Sequence, residues 1–496
     1  MSRRITEINT PKLTIPIKLA LSLGWPTELL ILISFELFIL FFYTQVLGLS
    51  GTLTGAALFL AMCLDGLSDP ILGTFSDNLR KARWGRRHTL MFLSPLPLGV
   101  FFALVFMPPA FLHGLSLFLW LMITAIGCRV SSALFIIPYS TQVAEMSRDS
   151  EVRASLSIYK SIAQTIFQFA LIGLSFRFIF GPTHSFANGQ ENRANYAPFG
   201  LIWGGVLAAI TTLSSLGTYR YMRAIEAITP LGPKTRTSVS KFLSSWKAAL
   251  AGNPNVRVVI LGAIAMVAAT GMARSLASHM GIYFWRLTPG QISDWQQVAI
   301  PGTFAGLFLA RYLLKLIEMK VLILVGMAMA YFSYAVPPAL MLLGLLPPVG
   351  NPLIYEMLLA ANLIQGVGLG FVVMISGLMS AQTADEEELF LGGPEQGLLY
   401  GFVFMATKIG SGLGKLFSGL TLDFIKFPIG KPVGSIGQDV IDQLVWSLII
   451  CVVVLGGVSL VIWSRFSISR RRHREITVAL EERASEHLAK TEVVVR

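Results

Sequence analysis

Two aspartates stand one helical turn apart inside an apolar run, where a charged side chain needs an explanation. Asp65 and Asp69 would lie about 6 Å apart on one face of a helix. An ionised side chain at the centre of a bilayer costs roughly 2.5–3.5 kcal/mol, so residues of this kind usually serve function. Paired carboxylates offer hard oxygen ligands for a small cation, and neighbouring carboxylates also share a proton. The spacing therefore predicts a site for Na⁺ or H⁺; the alternative is a structural ion pair with an Arg or Lys of a neighbouring helix.

The composition of the 496-residue chain is that of a membrane protein. Hydrophobic residues make up 54% of it and charged residues 13%, whereas a globular protein has about 25% charged residues. The net charge of +12 does not indicate a nucleic-acid partner, because the cations cluster in loops between apolar runs. The three cysteines lie within apolar runs and show neither disulfide nor metal-site spacing. We expect no enzyme, since the sequence shows no nucleophile–base pair, phosphate loop or metal cluster.

Apolar runs of about 20 residues predict an all-α membrane protein with twelve transmembrane helices in two six-helix bundles. We predict an N-terminal bundle over 1–218, a cytoplasmic central loop over 219–257, a C-terminal bundle over 258–464 and a cytoplasmic basic tail over 465–496. Lys and Arg outside the spans concentrate at both termini and after even-numbered spans, which predicts cytoplasmic termini in the cytoplasmic (inner) membrane. The predicted spans are approximately 25–47, 52–74, 90–109, 115–139, 155–179, 198–218, 258–284, 295–314, 321–345, 353–379, 397–421 and 443–464.

Other charged side chains within predicted spans are candidates for the substrate or coupling site. Glu28 and Glu36 in span 1 would contact solute hydroxyls, unless Glu28 lies at the membrane interface. Arg129 in span 4 and Lys160 in span 5 would pair with these acids or extend their charges to the interface. Lys408 in span 11 would neutralise one of the aspartates, with a static salt bridge as the alternative.

The helix of the two aspartates leads into a dense basic loop. Residues 73–87 resemble the motif between spans 2 and 3 of the major facilitator superfamily, which implies a cytoplasmic gate. We expect Asp77 to pair with one of the basic residues across that gate. A second loop, over 385–395, is acidic and could serve regulation or gating. The gating motif consists of Gly73, Asp77, Arg80, Gly85, Arg86 and Arg87.

A finer resemblance is to the glycoside–pentoside–hexuronide:cation symporters, the melibiose permease-like family. The most specific match is Asp65-x-x-x-Asp69-Pro70 in span 2, followed by Arg83-Trp84-Gly85-Arg86-Arg87. Weaker matches are spread along most of residues 35–425, and they gain weight only together. They are Phe41–Ser50, Ile137-Pro138-Tyr139, Tyr159-Lys160, Asn253-Pro254-Asn255 and Gly397-Leu398 with Lys408 and Gly414.

The resemblance implies roles for several residues. Asp65 and Asp69 would bind the coupling cation, Lys408 would lie near the same polar centre, and Lys160 would replace an Arg linked to the sugar. Two positions depart from the melibiose permease pattern, because Ile136 and Leu29 stand where aspartates are found. These departures leave the choice of cation and the recognition of galactosides open. Tyr139 would stack on a sugar ring or, alternatively, pack in the core.

These features predict a secondary active transporter that moves a sugar or glycoside together with Na⁺ or H⁺ by alternating access. We expect a monomer in the bilayer that binds a small-molecule solute, and no cofactor other than the coupling cation. Two other functions remain open. One is a carrier of a lysophospholipid or another amphipathic solute on the same fold, which the missing carboxylate at Ile136 favours slightly. The other is a sensor or scaffold that transports nothing and depends on no cation.

Overall fold

The computed structural model describes residues 13–79, 83–146, 150–228, 239–391, 396–429, 431 and 434–495, which are mostly helical. The earlier helices are α1 (Ile15–Ser22), α2 (Pro26–Ser34), α3 (Gly51–Asn78), α4 (His88–Leu93), α5 (Pro95–Val105), α6 (Gly114–Met146), α7 (Ser150–Leu174) and α8 (Tyr196–Ile228). The later helices are α9 (Val239–Gly252), α10 (Pro254–Ser275), α11 (Pro289–Gln297), α12 (Ala299–Leu313), α13 (Met319–Leu342), α14 (Pro352–Leu391), α15 (Gln396–Phe424), α16 (Gln438–Ser464) and α17 (Arg470–Val495).

Nine helical stretches among the described residues are long and apolar enough to cross a membrane. The other three predicted spans correspond to α4 with α5, to α11 with α12, and to α15. Helix α5 starts afresh at Pro95, because proline suits the first turn of a helix and disrupts its interior. The predicted all-α membrane architecture is thereby confirmed.

The first predicted span is longer and less regular than expected. Its helical run extends from Ile15 to Val46 and includes π-helical turns over Phe35–Ile39 and Phe42–Val46. Single π-helical turns inside helices often occur at functional sites, and the first of these carries Glu36. Most of this span is buried, as expected of a helix that is apolar on all sides.

The predicted acidic loop is wrong over its first part, because α14 continues to Leu391. Side-chain contacts to α14 hold this extension. Asn255 donates to Glu386 at 2.8 Å, and His473 of α17 lies 3.2 Å from Asp385. Glu395 lies outside the described residues. Part of the predicted central loop is also helical, since α9 occupies Val239–Gly252.

The described residues fall into two compact units. The first comprises those up to Phe242, together with Arg274–Gln297 and Lys415–Leu444. The second comprises Leu243–Ala273, Val298–Gly414 and the residues from Val445 onward. The division at the central loop into 1–218 and 258–464 stays a prediction.

An aromatic core anchors span 1 within the first unit. The ring of Phe42 stacks on Tyr196 with centroids 3.8 Å apart, and Phe38 packs against Phe199 at 4.6 Å. Helix α3 packs on α6, and α5 packs on both α6 and α8. This packing holds span 1 against α8 and span 2 against span 4, and so positions the charged side chains of those three spans.

Within the second unit, α14 packs closely against α12 and α13. A Cβ atom at Gly326 of α13 would lie 2.7 Å from the carbonyl oxygen of Gly368 in α14. Small residues permit such backbone approach between membrane helices, where packing rather than burial from water drives association.

Candidate cation and solute site

Arg129 of α6 links two carboxylates from neighbouring helices of the first unit. Its Nε donates to Oδ2 of Asp65 in α3 at 3.0 Å, and its Nη2 donates to the same oxygen. Nη2 also donates to Oε1 of Glu28 in α2 at 2.6 Å. Arg129 and Asp65 are each 1% exposed. We call this cation and its two carboxylates the Arg129 cluster.

Glu28 is the solvent-facing edge of the Arg129 cluster, because its side chain is 39% exposed. Its second oxygen, Oε2, accepts a hydrogen bond from Oγ of Ser132 at 3.2 Å. Ser132 follows Arg129 by three residues, so both lie on one face of α6. Glu28 also lies in the first turn of α2, where the helix dipole favours a negative charge. Sequence reasoning missed Ser132, although its spacing from Arg129 was a usable signal.

Asp69 lies half-buried one turn beyond Asp65 on α3. Pro70, inside the same helix, has no N–H, so the carbonyl of Gly66 lacks its usual backbone donor four residues on. That carbonyl belongs to the turn between the two aspartates and adds an oxygen to this stretch of α3. Among the described residues, no group of three or more His, Cys, Asp and Glu side chains forms a metal site.

A second ion pair lies further along span 1. Nε of Arg274 donates to Oε2 of Glu36 at 2.6 Å, and the two side chains are 28% and 7% exposed. Lys415 of α15 is 1% exposed and lies within electrostatic range of Glu36, Arg129 and Arg274. We call Glu36, Arg274 and Lys415 the Glu36 cluster. Sequence reasoning selected Glu36 for solute contact and overlooked Lys415, although its signal was a cation within a predicted span.

Lys160 and Tyr139 meet at Trp25, which precedes α2. Nζ of Lys160 lies 3.8 Å from the centroid of the Trp25 ring, a cation–π contact. The edge of the same ring packs against Tyr139 with centroids 5.2 Å apart. Tyr139 is fully buried and donates its hydroxyl to the carbonyl of Leu21. Tyr139 thus positions Trp25 from the core side, whereas Trp25 and Lys160 remain partly exposed.

The predicted gating loop folds back on α3 and α8. Gly85 has φ of +89°, and a Cβ there would lie 2.6 Å from the Glu226 carboxylate, so glycine is required. Nη1 of buried Arg87 donates to Oγ of Ser76 at 3.4 Å. Arg86 and Gly73 are half-buried. Arg80 and the side chain of Asp77 lie outside the described residues, so the predicted pairing of Asp77 stays a prediction.

Asp423 of α15 holds the N-terminus of α3, a contact that sequence reasoning missed. Its carboxylate accepts hydrogen bonds from the backbone N–H groups of Gly51 and Thr52, both at 2.8 Å, and from Oγ of Ser50 at 2.9 Å. Gly51 and Gly419 are too close for either to carry a Cβ atom. The contact fixes the start of the helix that bears Asp65. Lys408 lies on α15 within the second unit, and its predicted role at the aspartates stays a prediction.

Comparisons with known proteins agree with this architecture. The family model described as MFS/sugar transport protein matches residues 23–470. The symporter sll1374 of Synechocystis sp. is 23% identical over 532 residues, covering 90% of this chain and 93% of the relative. The isoprimeverose transporter of Lactiplantibacillus pentosus is 24% identical over 395 residues, covering 78% of this chain and 75% of the relative.

A solved structure of a D-xylose-proton symporter matches with a TM-score of 0.56 at 12% identity. The match covers 92% of this chain and 97% of that one. At this identity the likeness concerns the fold alone. It confirms the predicted major facilitator architecture, and the family match confirms the predicted class of transporter.

Proposed function

The chain belongs to the family of MFS/sugar transport proteins, and we propose that it carries a sugar or glycoside together with Na⁺ or H⁺ by alternating access. Family membership confirms the expectation of a transporter rather than an enzyme. The protein is a multi-pass membrane protein. The finer assignments, which are the cation, the solute and the residues that bind them, form the proposal.

The concentration of carboxylates at α3 is the observation that carries the proposal. Glu28 and Asp65 both bind Arg129, and Asp69 adds a third carboxylate one turn away on α3. The coupling cation would bind beside Asp65 and Asp69, whose carboxylate oxygens are hard ligands. Because Glu28 is partly exposed, the cation could approach through it while Arg129 holds the carboxylates in place. Carboxylates can also bind a proton, so the same groups would serve H⁺ in place of Na⁺.

Trp25, Lys160 and Glu28 form the proposed solute-binding edge. Glu28 follows Trp25 by three residues and faces the same side of span 1. A sugar ring offers an apolar face for an aromatic ring and hydroxyl groups for a carboxylate and an ammonium. A solute bound there would contact the same Glu28 that belongs to the Arg129 cluster. This shared residue gives a direct route for coupling between solute and cation.

The orientation and assembly are also part of the proposal. The distribution of Lys and Arg supports cytoplasmic termini in the cytoplasmic (inner) membrane, with the protein acting as a monomer. We assign Lys408 a role in coupling because it matches the span 11 lysine of the melibiose permease-like symporters. The variant Lys408→Ala should then transport solute without accumulation driven by the cation gradient.

Uptake into proteoliposomes tests the proposal. Purified protein would be assayed with a panel of sugars and glycosides under an imposed Na⁺ or H⁺ gradient. We expect one of the gradients to drive accumulation of at least one sugar, and both Asp65→Asn and Asp69→Asn to abolish it. Asp294→Asn is the matched control, because that carboxylate is 43% exposed in a surface ion pair with Arg177.

Two outcomes would contradict the proposal. Full accumulation by both aspartate variants would remove the cation site from α3. Uptake of a lysophospholipid without uptake of any sugar would favour the amphipathic-solute carrier instead. Size-exclusion profiles of the variants distinguish loss of coupling from loss of fold.

A further inference from the structure

An apolar groove on the first unit is separate from the charged clusters. It lies between α1, α7 and α8 and has a volume of about 390 Å³. Its lining is apolar apart from the hydroxyl groups of Ser22 and Tyr159. Among the lining side chains, Leu19, Ile162 and Leu213 are each about half exposed, at 50%, 53% and 54%. The groove is therefore open at the surface of membrane-spanning helices and is not an enclosed cavity in the core.

One rim of the groove carries a positive charge that is held in place. Nζ of Lys18 donates to Oγ of Ser155 at 2.9 Å and lies 6.0 Å from the centroid of the Tyr159 ring. Tyr159 also lines the groove, so the ammonium group of Lys18 is adjacent to the groove. An ammonium group has three N–H donors and Ser155 uses one of them, which leaves donors for an anion. Lys18 and Ser155 come from α1 and α7, so an anion bound to Lys18 would lie where these two helices meet.

The two parts of the groove fit one kind of ligand. Tyrosine and lysine side chains at the end of a membrane helix are typical of the headgroup region, whereas the leucines and isoleucines further along match the hydrocarbon region. A basic rim next to an apolar groove between membrane helices is suited to an anionic lipid. We propose that the groove binds an anionic phospholipid, with one acyl chain against Ile162 and Leu213 and its phosphate on Lys18. This site does not depend on the proposed transport of sugar.

A lipid in this position would stabilise the solute-binding edge indirectly. Helix α1 leads through Leu23 and Gly24 into Trp25 and α2, and Leu23 lines the groove. Lys160 follows Tyr159 directly on α7 and contacts Trp25. A lipid that bridges α1 and α7 would therefore restrain both elements of the Trp25–Lys160 contact. We expect a bound lipid to raise thermal stability without entering the transport path.

Lipid binding can be measured on the purified full-length protein by native mass spectrometry. The probes are phosphatidylglycerol and phosphatidylcholine with the same acyl chains, each added in mixed micelles. We expect the protein to retain phosphatidylglycerol in preference to phosphatidylcholine, and Lys18→Gln to reduce that preference roughly tenfold through loss of one charge-assisted contact. Ile162→Trp should fill the groove and reduce the binding of both lipids.

Leu216→Trp is the matched control for the filled groove. Leu216 lies on α8, as does Leu213, and is 58% exposed, but it does not line the groove. Equal retention of both lipids by the wild type and by Lys18→Gln would mean ordinary annular lipid and would overturn the proposal. An equal loss of binding in Leu216→Trp and Ile162→Trp would also overturn it. Since Lys18 and Ile162 are not core residues, both variants are expected to fold, and a size-exclusion profile checks this.

Discussion

The Arg129 cluster and the Glu36 cluster both pair an arginine with an acid of span 1, but they differ in burial. Arg129 is 1% exposed and makes hydrogen bonds to Glu28 of span 1 and Asp65 of span 2. Arg274 is 28% exposed at its side chain and donates to the Glu36 carboxylate. Contacts of a fully buried arginine are costly to break, because they leave a buried charge without compensation. A partly exposed ion pair is easier to break.

This difference indicates how the two clusters divide their roles. Breaking a buried pair leaves an uncompensated charge in a medium of low dielectric constant, so the Arg129–Asp65 contact should persist through the transport cycle. Glu28 is the exception within that cluster, because its side chain is 39% exposed. The Arg274–Glu36 contact is partly exposed, so breaking it should cost less. The first cluster would therefore set the charge that the cation meets, and the second would be the part that changes.

The largest expected effect is on stability in Arg129→Leu. The substitution leaves Asp65 buried and without its arginine, so we expect a loss of about 3–5 kcal/mol and loss of transport. Thermal unfolding in detergent measures the first effect and vesicle uptake the second. The double variant Arg129→Leu with Asp65→Leu should recover much of the lost stability, because an apolar pair of similar volume often replaces a buried ion pair without penalty.

Arg177→Ala is the control for the Arg129 variant. It breaks the Arg177–Asp294 pair, whose side chains are 53% and 43% exposed. Exposed pairs contribute about 0–1 kcal/mol, so this variant should unfold near the wild-type temperature. A comparable loss in both variants would contradict the distinction between a fixed, buried arginine and a surface one.

Arg274→Ala should have a smaller effect than Arg129→Leu. The Glu36 carboxylate loses a charged hydrogen bond, for which we expect a cost of roughly 1–3 kcal/mol, lowered by the partial exposure of Arg274 and by the attraction of Lys415. Glu36→Gln, which removes the charge but keeps the shape, should affect stability less than Arg274→Ala. Thermal unfolding of both variants checks this order. A loss in Arg274→Ala as large as that of Arg129→Leu would mean that the two clusters are equally fixed.

Sequence reasoning identified most members of these clusters but not their partners. A charge inside an apolar run is visible in the sequence, so Asp65, Glu28 and Arg129 were found. Which arginine meets which acid depends on the rotation and depth of each helix, and these are set by the packing of spans 1, 2 and 4. The prediction allowed two roles for Arg129, which were pairing with the acids and reaching the membrane interface. The structure places Arg129 between two of the acids, Glu28 and Asp65.

Contacts made by single polar residues at helix ends could not be predicted from the sequence. Asp423 holds the N-terminus of α3 across 372 residues of sequence, and no local pattern indicates that contact. The extension of α14 to Leu391 was not predicted, because a run of acidic residues is typical of a loop. In the structure Asn253 and Asn255 donate hydrogen bonds to these acidic residues and hold them in a helix. The spans could be predicted from the apolar runs, because the thickness of a bilayer sets their length.

Glu28→Gln separates charge from stability within the Arg129 cluster. The side chain is 39% exposed, so we expect a change in stability below about 1 kcal/mol. The substitution removes one negative charge from the Arg129 cluster. The apparent affinity for the coupling cation should therefore fall, as measured by uptake at varied cation concentration. A cation affinity equal to that of the wild type would show that Glu28 contributes nothing to the cation site.

Ser132→Ala should have the smallest effect and tests how finely Glu28 is positioned. Oγ of Ser132 donates to Oε2 of Glu28 at 3.2 Å, on the partly exposed side of the cluster. A hydrogen bond of this kind contributes about 0.5–1.5 kcal/mol, and the exposure of Glu28 places the expected loss at the lower end. The control is Ser140→Ala on the same helix, because Oγ of Ser140 is exposed and donates to the carbonyl of Ile137 within its own helix. If Ser132 acts through Glu28, the variant Ser132→Ala should shift the apparent cation affinity in the wild type but not in a Glu28→Gln background. Equal shifts in both backgrounds would show that Ser132 acts elsewhere and that the open edge of the Arg129 cluster consists of Glu28 alone.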